Sequence, residues 1–306
     1  MKETRGKAGE KVIITIRAKR TLVAVALGLF LISTVFGMAN RVRRYFYGVR
    51  SGVTLEGIPI GGFLEHELEG LVMALAIEQG RFPQNANIDK ATGKPILERY
   101  GLMVEVDGTI ARVMHARRGE KVPLQRIVID PDYKVSDIDN MTKVIGAFSC
   151  GIPGSENRYN NIILASKALN NTLVYPGQVI SFNETVGPRT PEGGYLPAPI
   201  MSSEAHAMGT GGGVCQVATT LYNAALNANL KIVERSPHGA PVSYVPPGMD
   251  ATVDYPSLDL KFKNTLSYPV LIQGEAGGRV CSFRIMAPAG ALPKESPGKG
   301  KQTVTN

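Results

Sequence analysis

The chain has 306 residues, 43% of them hydrophobic, which suits two modest folded domains and excludes a disordered protein. The formal net charge is +8, but residues 1–50 hold 11 of the 34 Lys and Arg and only 2 of the 26 Asp and Glu. Residues 51–306 therefore carry a net charge of −1. Because the positive excess is confined to the N-terminus, the composition argues against nucleic acid as a partner.

A membrane segment is predicted near the N-terminus. Twenty uncharged residues, TLVAVALGLFLISTVFGMAN, separate Arg20 from Arg41. As a helix rising about 1.5 Å per residue, they would cross a hydrocarbon layer of about 30 Å. We therefore assign residues 1–20 as a basic cytoplasmic segment and residues 21–40 as a transmembrane anchor.

The same segment has one feature of a cleaved signal peptide. Gly37 and Ala39 have the spacing of small residues that signal peptidase recognises. The apolar stretch exceeds the roughly 7–15 residues of such peptides, however, and arginines would follow the cut closely, so we expect an uncleaved anchor. Seven basic residues precede the stretch and four follow it, which favours a cytoplasmic N-terminus. The prediction is a single-pass protein of the cell membrane with its C-terminal domains extracytoplasmic.

A small α+β module is predicted over residues 51–135, after a linker at 41–50. GVTLEGIPIGG has the pattern of a strand, a turn and a strand, and leucines spaced for one helical face follow up to Gly80. Further strands are expected at 102–106, 110–114 and 126–130, with a hairpin turn at Asp107-Gly108. The stretch GVTLEGIPIGGFLEHELEGL resembles modules assigned to peptidoglycan binding in Gram-positive envelope proteins, and a generic spacer domain is the alternative.

A second α+β domain is predicted over residues 136–284. A helix ending near Asn170-Asn171, a turn at 175–177 and a strand at 178–182 come first. Short segments punctuated by Pro and Gly follow residue 230 and predict a largely antiparallel sheet. Residues 285–306, rich in Pro, Gly and Lys, are expected to form a disordered tail.

The stretch GTGGGVCQVATTLYNAAL, residues 209–226, places a cysteine at the start of an amphipathic helix. The free N–H groups and the positive dipole end of a helix stabilise an anion, so Cys215 is the candidate nucleophile. The amides of Gly211, Gly212 and Gly213 and the side chain of Gln216 are candidates for holding a carboxylate or a developing oxyanion. A buried structural cysteine after a tight loop is the alternative.

A base for this thiol is sought among four histidines. His66 and His115 fall in the first module and are expected to be ordinary surface residues. His238 follows the helix and precedes Asp250 and Asp254, either of which could orient it. The order Cys, His, Asp, with the cysteine opening a helix, resembles the catalytic core of transglutaminase-like cysteine enzymes, although only 23 residues separate Cys215 from His238.

Two further roles for the cysteines were weighed. Glu204, His206, Cys215 and His238 include residue types that bind zinc, but no CxxC, HxxxH or HExxH spacing occurs, so neither a metal nor another cofactor is predicted. Cys150 and Cys281 are expected to be small buried apolar residues, with a disulfide between them as the alternative.

Long stretches of the second domain resemble the VanW family over roughly residues 140–275. They are YPGQVISFNETVGPRTPEGGYLPAPIM, GGGVCQVATTLYNAALNANLKIVERSPHGAPVSYVPPGMDATVDY and LDLKFKNTLSYPVLI. The family takes its name from an accessory protein of some vancomycin-resistance clusters. The resemblance implies an envelope protein but leaves the reaction open.

Two functions therefore stand at this point. In the first, Cys215, His238 and Asp250 carry out thiol-dependent acyl transfer or hydrolysis on peptidoglycan peptides or their precursors. Asn183, Arg189 and Tyr195 would line the substrate side, with Arg189 pairing with a peptide carboxylate. In the second, the same groove binds peptidoglycan or a glycan without chemistry.

Overall fold

The computed structural model describes residues 4–200 and 207–291, with side chains described from Leu22 onward. The chain divides into two compact units. The first unit comprises the chain up to Pro83 together with Tyr100–Asp130, and the second comprises Gln84–Arg99 together with the chain from Pro131 onward. Helices and mostly antiparallel sheets make up both units, which confirms the predicted α+β class.

The first unit begins with one long helix, α1 (Thr4–Tyr47). Its part from Leu22 to Tyr47 includes an 18-residue stretch with a mean hydropathy of 2.4 and is long and apolar enough to cross a membrane, a test that a signal sequence would also meet. The helix continues to Tyr47, so most of the predicted 41–50 linker is helical.

The globular part of the first unit packs two helices, α2 (Glu65–Gln79) and α3 (Val106–Met114), with short strands. The strand–turn–strand and the helix predicted at its start are confirmed. Five strands complete the unit: β1 (Thr54–Leu55), β2 (Ile58–Pro59), β5 (Gly101–Val104), β6 (Lys121–Val122) and β7 (Arg126–Ile129). They form the sheets β2-β1-β6 and β5-β7.

The hairpin predicted at Asp107-Gly108 is wrong, because these residues lie in the first turn of α3. Asp107 there complements the positive end of the helix, and Thr109, Ile110 and Val113 turn one face to the core at helical spacing. The strand that pairs with β5 is β7, further along the chain. An acidic residue before glycine thus opens a helix here, where the local pattern predicts a turn.

A four-stranded antiparallel sheet, in the order β8-β16-β15-β9, is the main element of the second unit. It is formed by β8 (Lys143–Gly151), β9 (Thr172–Val174), β15 (Val270–Gly277) and β16 (Val280–Ala287). Residues 285–287 therefore belong to a strand although the disordered tail was predicted to begin at 285, and residues 292–306 lie outside the described part.

Cys150 and Cys281 are directly opposite each other on β8 and β16. Their exposed fractions are 8% and 0%, and both are free thiols, so the prediction of small buried residues is confirmed. Burial raises the pKa of the Cys281 thiol to about 11, which keeps it protonated and unreactive at neutral pH.

Two helices pack against this sheet, α4 (Glu156–Leu169) and α6 (Val214–Asn227). In α6, Val217, Leu221 and Ala224 recur at helical spacing and are buried in the core. Gly146 of β8 permits the close contact, since a Cβ there would lie 2.4 Å from the carbonyl oxygen of Ala224. The helix that begins beside Cys215 is therefore anchored firmly on the sheet.

The remaining elements of the second unit include short strands and a short α-helix. A three-stranded antiparallel sheet has the order β10-β14-β13, and the pairs β11-β12 and β3-β4 are separate. Their bounds are β3 (Asn87–Ile88), β4 (Pro95–Ile96), β10 (Val179–Ser181), α5 (Phe182–Val186), β11 (Pro197–Pro199), β12 (Met208–Thr210), β13 (Lys231–Glu234) and β14 (Lys261–Lys263).

Candidate active site

The glycine loop brings Cys215 into the first turn of α6, as the sequence predicts. Gly213 is the N-cap with φ of +107°, and Gly211 has φ of +87°, conformations that favour glycine. A Cβ at Gly211 would lie 2.8 Å from Cβ of Arg189, and one at Gly213 would lie 2.9 Å from Cγ of Arg158. The glycines thus make room for two arginines next to the cysteine.

His238 is held by Asp250. One carboxylate oxygen, Oδ2, accepts the backbone N–H of His238 at 2.6 Å and lies 2.7 Å from its ring Nδ1. The other oxygen accepts a hydrogen bond from Nη2 of Arg235 at 3.1 Å. Because Nδ1 is engaged by the carboxylate, Nε2 is the ring nitrogen left for the thiol.

The pKa of His238 is held above its ordinary value. The interaction with the Cys215 side chain is the main cause, burial opposes it, and the hydrogen bond with Asp250 adds to it. Burial raises the pKa of Asp250, but the hydrogen bonds from His238 outweigh it and hold that pKa below its ordinary value. Both shifts favour an imidazolium between a carboxylate and the cysteine.

Asp250, rather than Asp254, is the residue that the fold brings to His238. The Asp254 carboxylate accepts a hydrogen bond from Ser257 at 3.1 Å and forms part of a local turn. Asp250 is 7% exposed and its segment is fixed against α6. The structure thus selects between the two acids that the sequence left open.

A polar stripe along α6 fixes that segment. The thiol of Cys215 donates to the carbonyl of Val253 at 3.3 Å. One turn on, the Thr219 hydroxyl donates to the carbonyl of Ala251 and accepts its N–H, at 3.2 and 2.9 Å. One further turn on, the Asn223 amide donates to the carbonyl of Met249 at 2.7 Å. These contacts at positions i, i+4 and i+8 hold residues 249–253 along the helix.

A pocket of about 1040 Å³ opens beside Cys215 and His238. Arg158, Arg189, Tyr244 and Tyr255 also line it. Both Nη atoms of Arg189 are buried and have no hydrogen-bond partner among the described residues. The guanidinium lies 5.3 Å from the ring centre of Phe182 and 5.9 Å from that of Tyr255. A desolvated cation with unused N–H groups in a pocket is suited to a planar anion such as a carboxylate.

Three of the predicted ligand-binding side chains have other partners. The Gln216 amide donates to the carbonyl of Gly151 at 2.7 Å and to Sγ of Cys150, and its oxygen accepts from Arg158 at 2.7 Å. It is therefore occupied and is not placed to donate to an oxyanion. Asn183 is buried and donates to the carbonyl of Leu258 at 2.9 Å, while Tyr195 is buried in the core cluster. Neither lines the pocket.

Of the three glycine amides predicted to hold an oxyanion, those of Gly211 and Gly212 donate to the carbonyls of Leu196 and Gly209, both at 3.3 Å, so they have other partners. The backbone N–H groups of Val214 and Gln216 donate to Gly211 and Gly213, whereas those of Gly213 and Cys215 donate no hydrogen bond to a described residue. These two groups lie at the open end of α6, where the helix dipole favours negative charge. They take the place that the Gln216 side chain held in the sequence prediction.

The other histidines and the remaining candidate metal ligands add nothing to this site among the described residues. His66 and His115 are exposed residues of the first unit. Glu204 and His206 fall outside the described residues. Within residues 22–200 and 207–291, no group of three or more His, Cys, Asp and Glu is placed to hold a metal ion.

Comparison with known proteins bears on this same region. The family described as "VanW like protein" matches residues 157–286, which include Cys215, His238 and Asp250. The matched residues all lie in the second unit. The uncharacterized protein YoaR of Bacillus subtilis is 44% identical over 124 residues, which cover 40% of this chain and 41% of YoaR.

A second relative is the vancomycin B-type resistance protein VanW of Enterococcus faecalis. It is 32% identical over 114 residues, covering 36% of this chain and 42% of that protein. The chain thus matches about two fifths of the length of either relative, and no solved structure matches it.

The sequence did not indicate two arginines of the candidate site, Arg158 and Arg235. Arg158 lies in the first turn of α4, 57 positions before Cys215, and no local motif marks it. Burial lowers the pKa of its guanidinium, and that of Arg189, yet both remain charged at any physiological pH. Arg235 precedes His238 by three positions, and its residue type alone does not mark it. Its link to Asp250 appears only once the strand and the segment at 249–253 are folded together.

Proposed function

We propose that the VanW domain is a thiol-dependent acyl transferase or hydrolase that acts on the peptide part of peptidoglycan or of its precursors. The observation that carries this proposal is the Cys215–His238–Asp250 arrangement at the edge of a pocket. The cysteine lies in the first turn of a helix, the histidine lines the same pocket and has its pKa raised by the cysteine, and the aspartate fixes the ring through Nδ1.

The first step forms a thioester. The sulfur of Cys215 attacks the carbonyl carbon of a substrate amide, after its proton has passed to Nε2 of His238. The oxygen of the tetrahedral intermediate takes up hydrogen bonds from the N–H groups of Gly213 and Cys215. As the C–N bond breaks, the leaving amine receives the proton from His238, which returns to the neutral form.

The second step releases the acyl group. An acceptor amine or a water molecule gives a proton to His238 and attacks the thioester carbonyl. The carbon–sulfur bond breaks and the thiolate is restored beside the imidazolium. An amine acceptor makes the enzyme a transferase, and water makes it a hydrolase.

Arg189 supports a substrate that carries a carboxylate. Its two Nη atoms are buried and have no hydrogen-bond partner among residues 22–200 and 207–291, and a carboxylate accepts two parallel N–H bonds from this group. Arg158 adds a second positive charge to the same pocket. Peptidoglycan stem peptides carry free carboxylates, which fits this pocket and the envelope context implied by a resistance-associated relative.

Membrane attachment completes the proposal. The apolar part of α1 anchors the chain as a single-pass protein, with the VanW domain on the extracytoplasmic side. The first unit contributes wall attachment or serves as a spacer.

A trapping experiment tests the reaction. The purified full chain in detergent is mixed with a soluble stem peptide and quenched in acid, and intact-mass spectrometry then measures acylation. We expect an acyl adduct on Cys215, released by hydroxylamine as a thioester is. The Cys215→Ser variant should form no such thioester, and His238→Ala should form the adduct about 10²–10⁴ times more slowly, the usual contribution of a general base.

The matched control is Cys150→Ser, which removes a buried thiol of the same domain and should leave the adduct unchanged. A different result would be that the wild type and Cys215→Ser bind the peptide with equal affinity while the wild type forms no adduct. That result would identify a peptidoglycan-binding protein without this chemistry. That second function is favoured by the same unpartnered Arg189. Arg189→Gln should weaken peptide binding in either case.

A further inference from the structure

The end of α1 is fixed rigidly to the first unit. Arg44 donates to both carboxylate oxygens of Glu67 at 2.7 Å and to the carbonyl of Gly62 at 2.9 Å. Val49, directly after the helix, exchanges backbone hydrogen bonds with Phe63 and Gly62 and is 3% exposed. The helix therefore determines which face of this unit lies where the chain leaves the membrane.

A basic loop lies on that face. The N–H of Gly119 donates to the carbonyl of Ser51 at 3.1 Å, and a Cβ on Gly52 would lie 3.3 Å from Cα of Gly119. Arg117 and Arg118, the residues before Gly119, are thereby held beside the segment that follows α1. Their side chains are exposed.

Further cations surround the end of the helix, and we call the whole set the juxtamembrane basic surface. All of its side chains are exposed, and none forms an ion pair with a described residue. The set consists of Arg41, Arg43, Arg50, Arg117, Arg118 and Lys121. Glu120 is the acid next to the loop, and one of its oxygens accepts the backbone N–H of Arg117 at 2.7 Å. The surface therefore keeps a clear positive excess.

Aromatic side chains accompany the charges. Tyr45, Phe46 and Tyr47 are 84%, 71% and 72% exposed at the C-terminal end of the apolar helix. Tyrosine is enriched at the level of lipid headgroups, and exposed phenylalanine there adds apolar surface to the same level. Cations interleaved with such rings at the end of an apolar helix lie where lipid phosphates lie.

We infer that the juxtamembrane basic surface binds the headgroups of anionic phospholipids in the leaflet from which the first unit emerges. Each basic side chain close to an anionic surface strengthens association by about fivefold, and the effect falls off within a Debye length of about 8 Å. Arg117 and Arg118 are the informative members, because they come from a loop remote in sequence from the anchor. Headgroup contact would fix the orientation of the first unit on the membrane.

This inference rests on the membrane anchor proposed above, and its test separates the two. The full chain is reconstituted with vesicles of phosphatidylcholine alone or with 30% phosphatidylglycerol. Flotation reports the anchor, and amide hydrogen exchange of residues 115–121 reports headgroup contact. We expect flotation with both vesicles, and exchange at least about threefold slower in the anionic ones. High salt should remove that difference.

Variants at Arg117 and Arg118 separate the effect of their charge on headgroup contact from any effect on the structure of the loop. Arg117→Lys with Arg118→Lys should keep the slower exchange in anionic vesicles, while Arg117→Gln with Arg118→Gln should lose it. Equal exchange in both vesicle types would overturn the inference while leaving the anchor intact. Soluble polyphosphate added to neutral vesicles should not slow amide exchange of residues 115–121. Slowing equal to that in anionic vesicles would also overturn the inference, because the surface would then bind a soluble polyanion. A chain that floats with neither vesicle would refute both the anchor and the lipid contact.

Discussion

At the scale of single residues, the candidate site depends on how Asp250 distributes its two oxygens. One oxygen accepts the backbone N–H of His238 and contacts its ring Nδ1, and the other accepts a hydrogen bond from Arg235. A histidine in a loop between Pro237 and Gly239 would otherwise sample several rotamers. The carboxylate fixes the ring in one tautomer and one orientation, which a general base requires.

The pKa directions give this pair a defined pH dependence. The pKa of His238 is raised, so its contribution to stability is fully present below about pH 6.5 and is lost as pH rises through the folded value. The pKa of Asp250 is lowered, so its contribution is present above about pH 3.9 and is lost as pH falls through the folded value. The charged pair therefore contributes most between about pH 4 and 6.5.

A double-mutant cycle checks the upper limit of that window. Urea unfolding of the wild type, His238→Gln, Asp250→Asn and the double variant should give a coupling energy of about 1.5–3 kcal/mol at pH 6. Above the raised pKa of His238 the imidazole is neutral and donates an ordinary hydrogen bond, so the coupling should fall by about 1 kcal/mol as pH rises through that value. A coupling that stays constant or grows with pH would contradict the charged pair.

At the scale of elements, α6 has two functions on two faces. Its apolar face packs on the four-stranded sheet, and its polar stripe of Cys215, Thr219 and Asn223 holds residues 249–253. Periodicity in the sequence predicted the apolar face. The stripe could not be predicted, because its partners lie about 30 residues away in a segment without regular structure.

Thr219→Val tests whether the stripe positions the site. The change is close to isosteric and leaves the N–H and the carbonyl of Ala251 without their partner, so we expect a loss of about 1–3 kcal/mol in the free energy of unfolding. Asp250 would then be held less firmly, and alkylation of Cys215 should be slower. Thr220→Val is the matched control, because that hydroxyl bonds within α6 and to Cys150. An equal effect of the two variants on Cys215 alkylation would argue against a positioning role.

The glycine loop before α6 yields a second prediction at this scale. Gly211→Ala should destabilise the domain by more than about 1 kcal/mol, since φ is +87° and the new Cβ would lie 2.8 Å from Cβ of Arg189. Gly187→Ala is the control, with φ of +77° and nothing within 4 Å of the new Cβ. Thermal unfolding gives the stability loss of each variant. Gly187→Ala measures the cost of the positive φ alone, and the excess cost of Gly211→Ala measures crowding against Arg189. If Gly187→Ala were as costly as Gly211→Ala, close packing around Arg189 would not be the reason for the glycine.

At the scale of the whole molecule, the sequence predicted elements and chemistry better than partners within the fold. Cys215 at a helix start, His238 and Asp250 could be proposed from residue type, order and local pattern. Arg158 could not, because it reaches the site through the packing of α4 against α6. The helix α3 was mistaken for a hairpin because an Asp-Gly pair suits either a turn or a first helical turn, and only burial of Ile110 and Val113 decides.

The charge distribution and the long apolar helix together predict the membrane topology of the chain. Residues 51–306 are nearly neutral, and the positive excess flanks the apolar stretch, so the chain should be anchored with residues 51–306 outside. Protease added to intact cells should degrade an epitope placed after Ala291 and spare one placed at the N-terminus. The control is the same treatment after permeabilisation, which should remove both epitopes. Release of the C-terminal epitope into the medium without protease would instead show that the helix is a cleaved signal sequence. A soluble cytoplasmic chain resistant to external protease would refute the anchor and, with it, an extracytoplasmic substrate for Cys215.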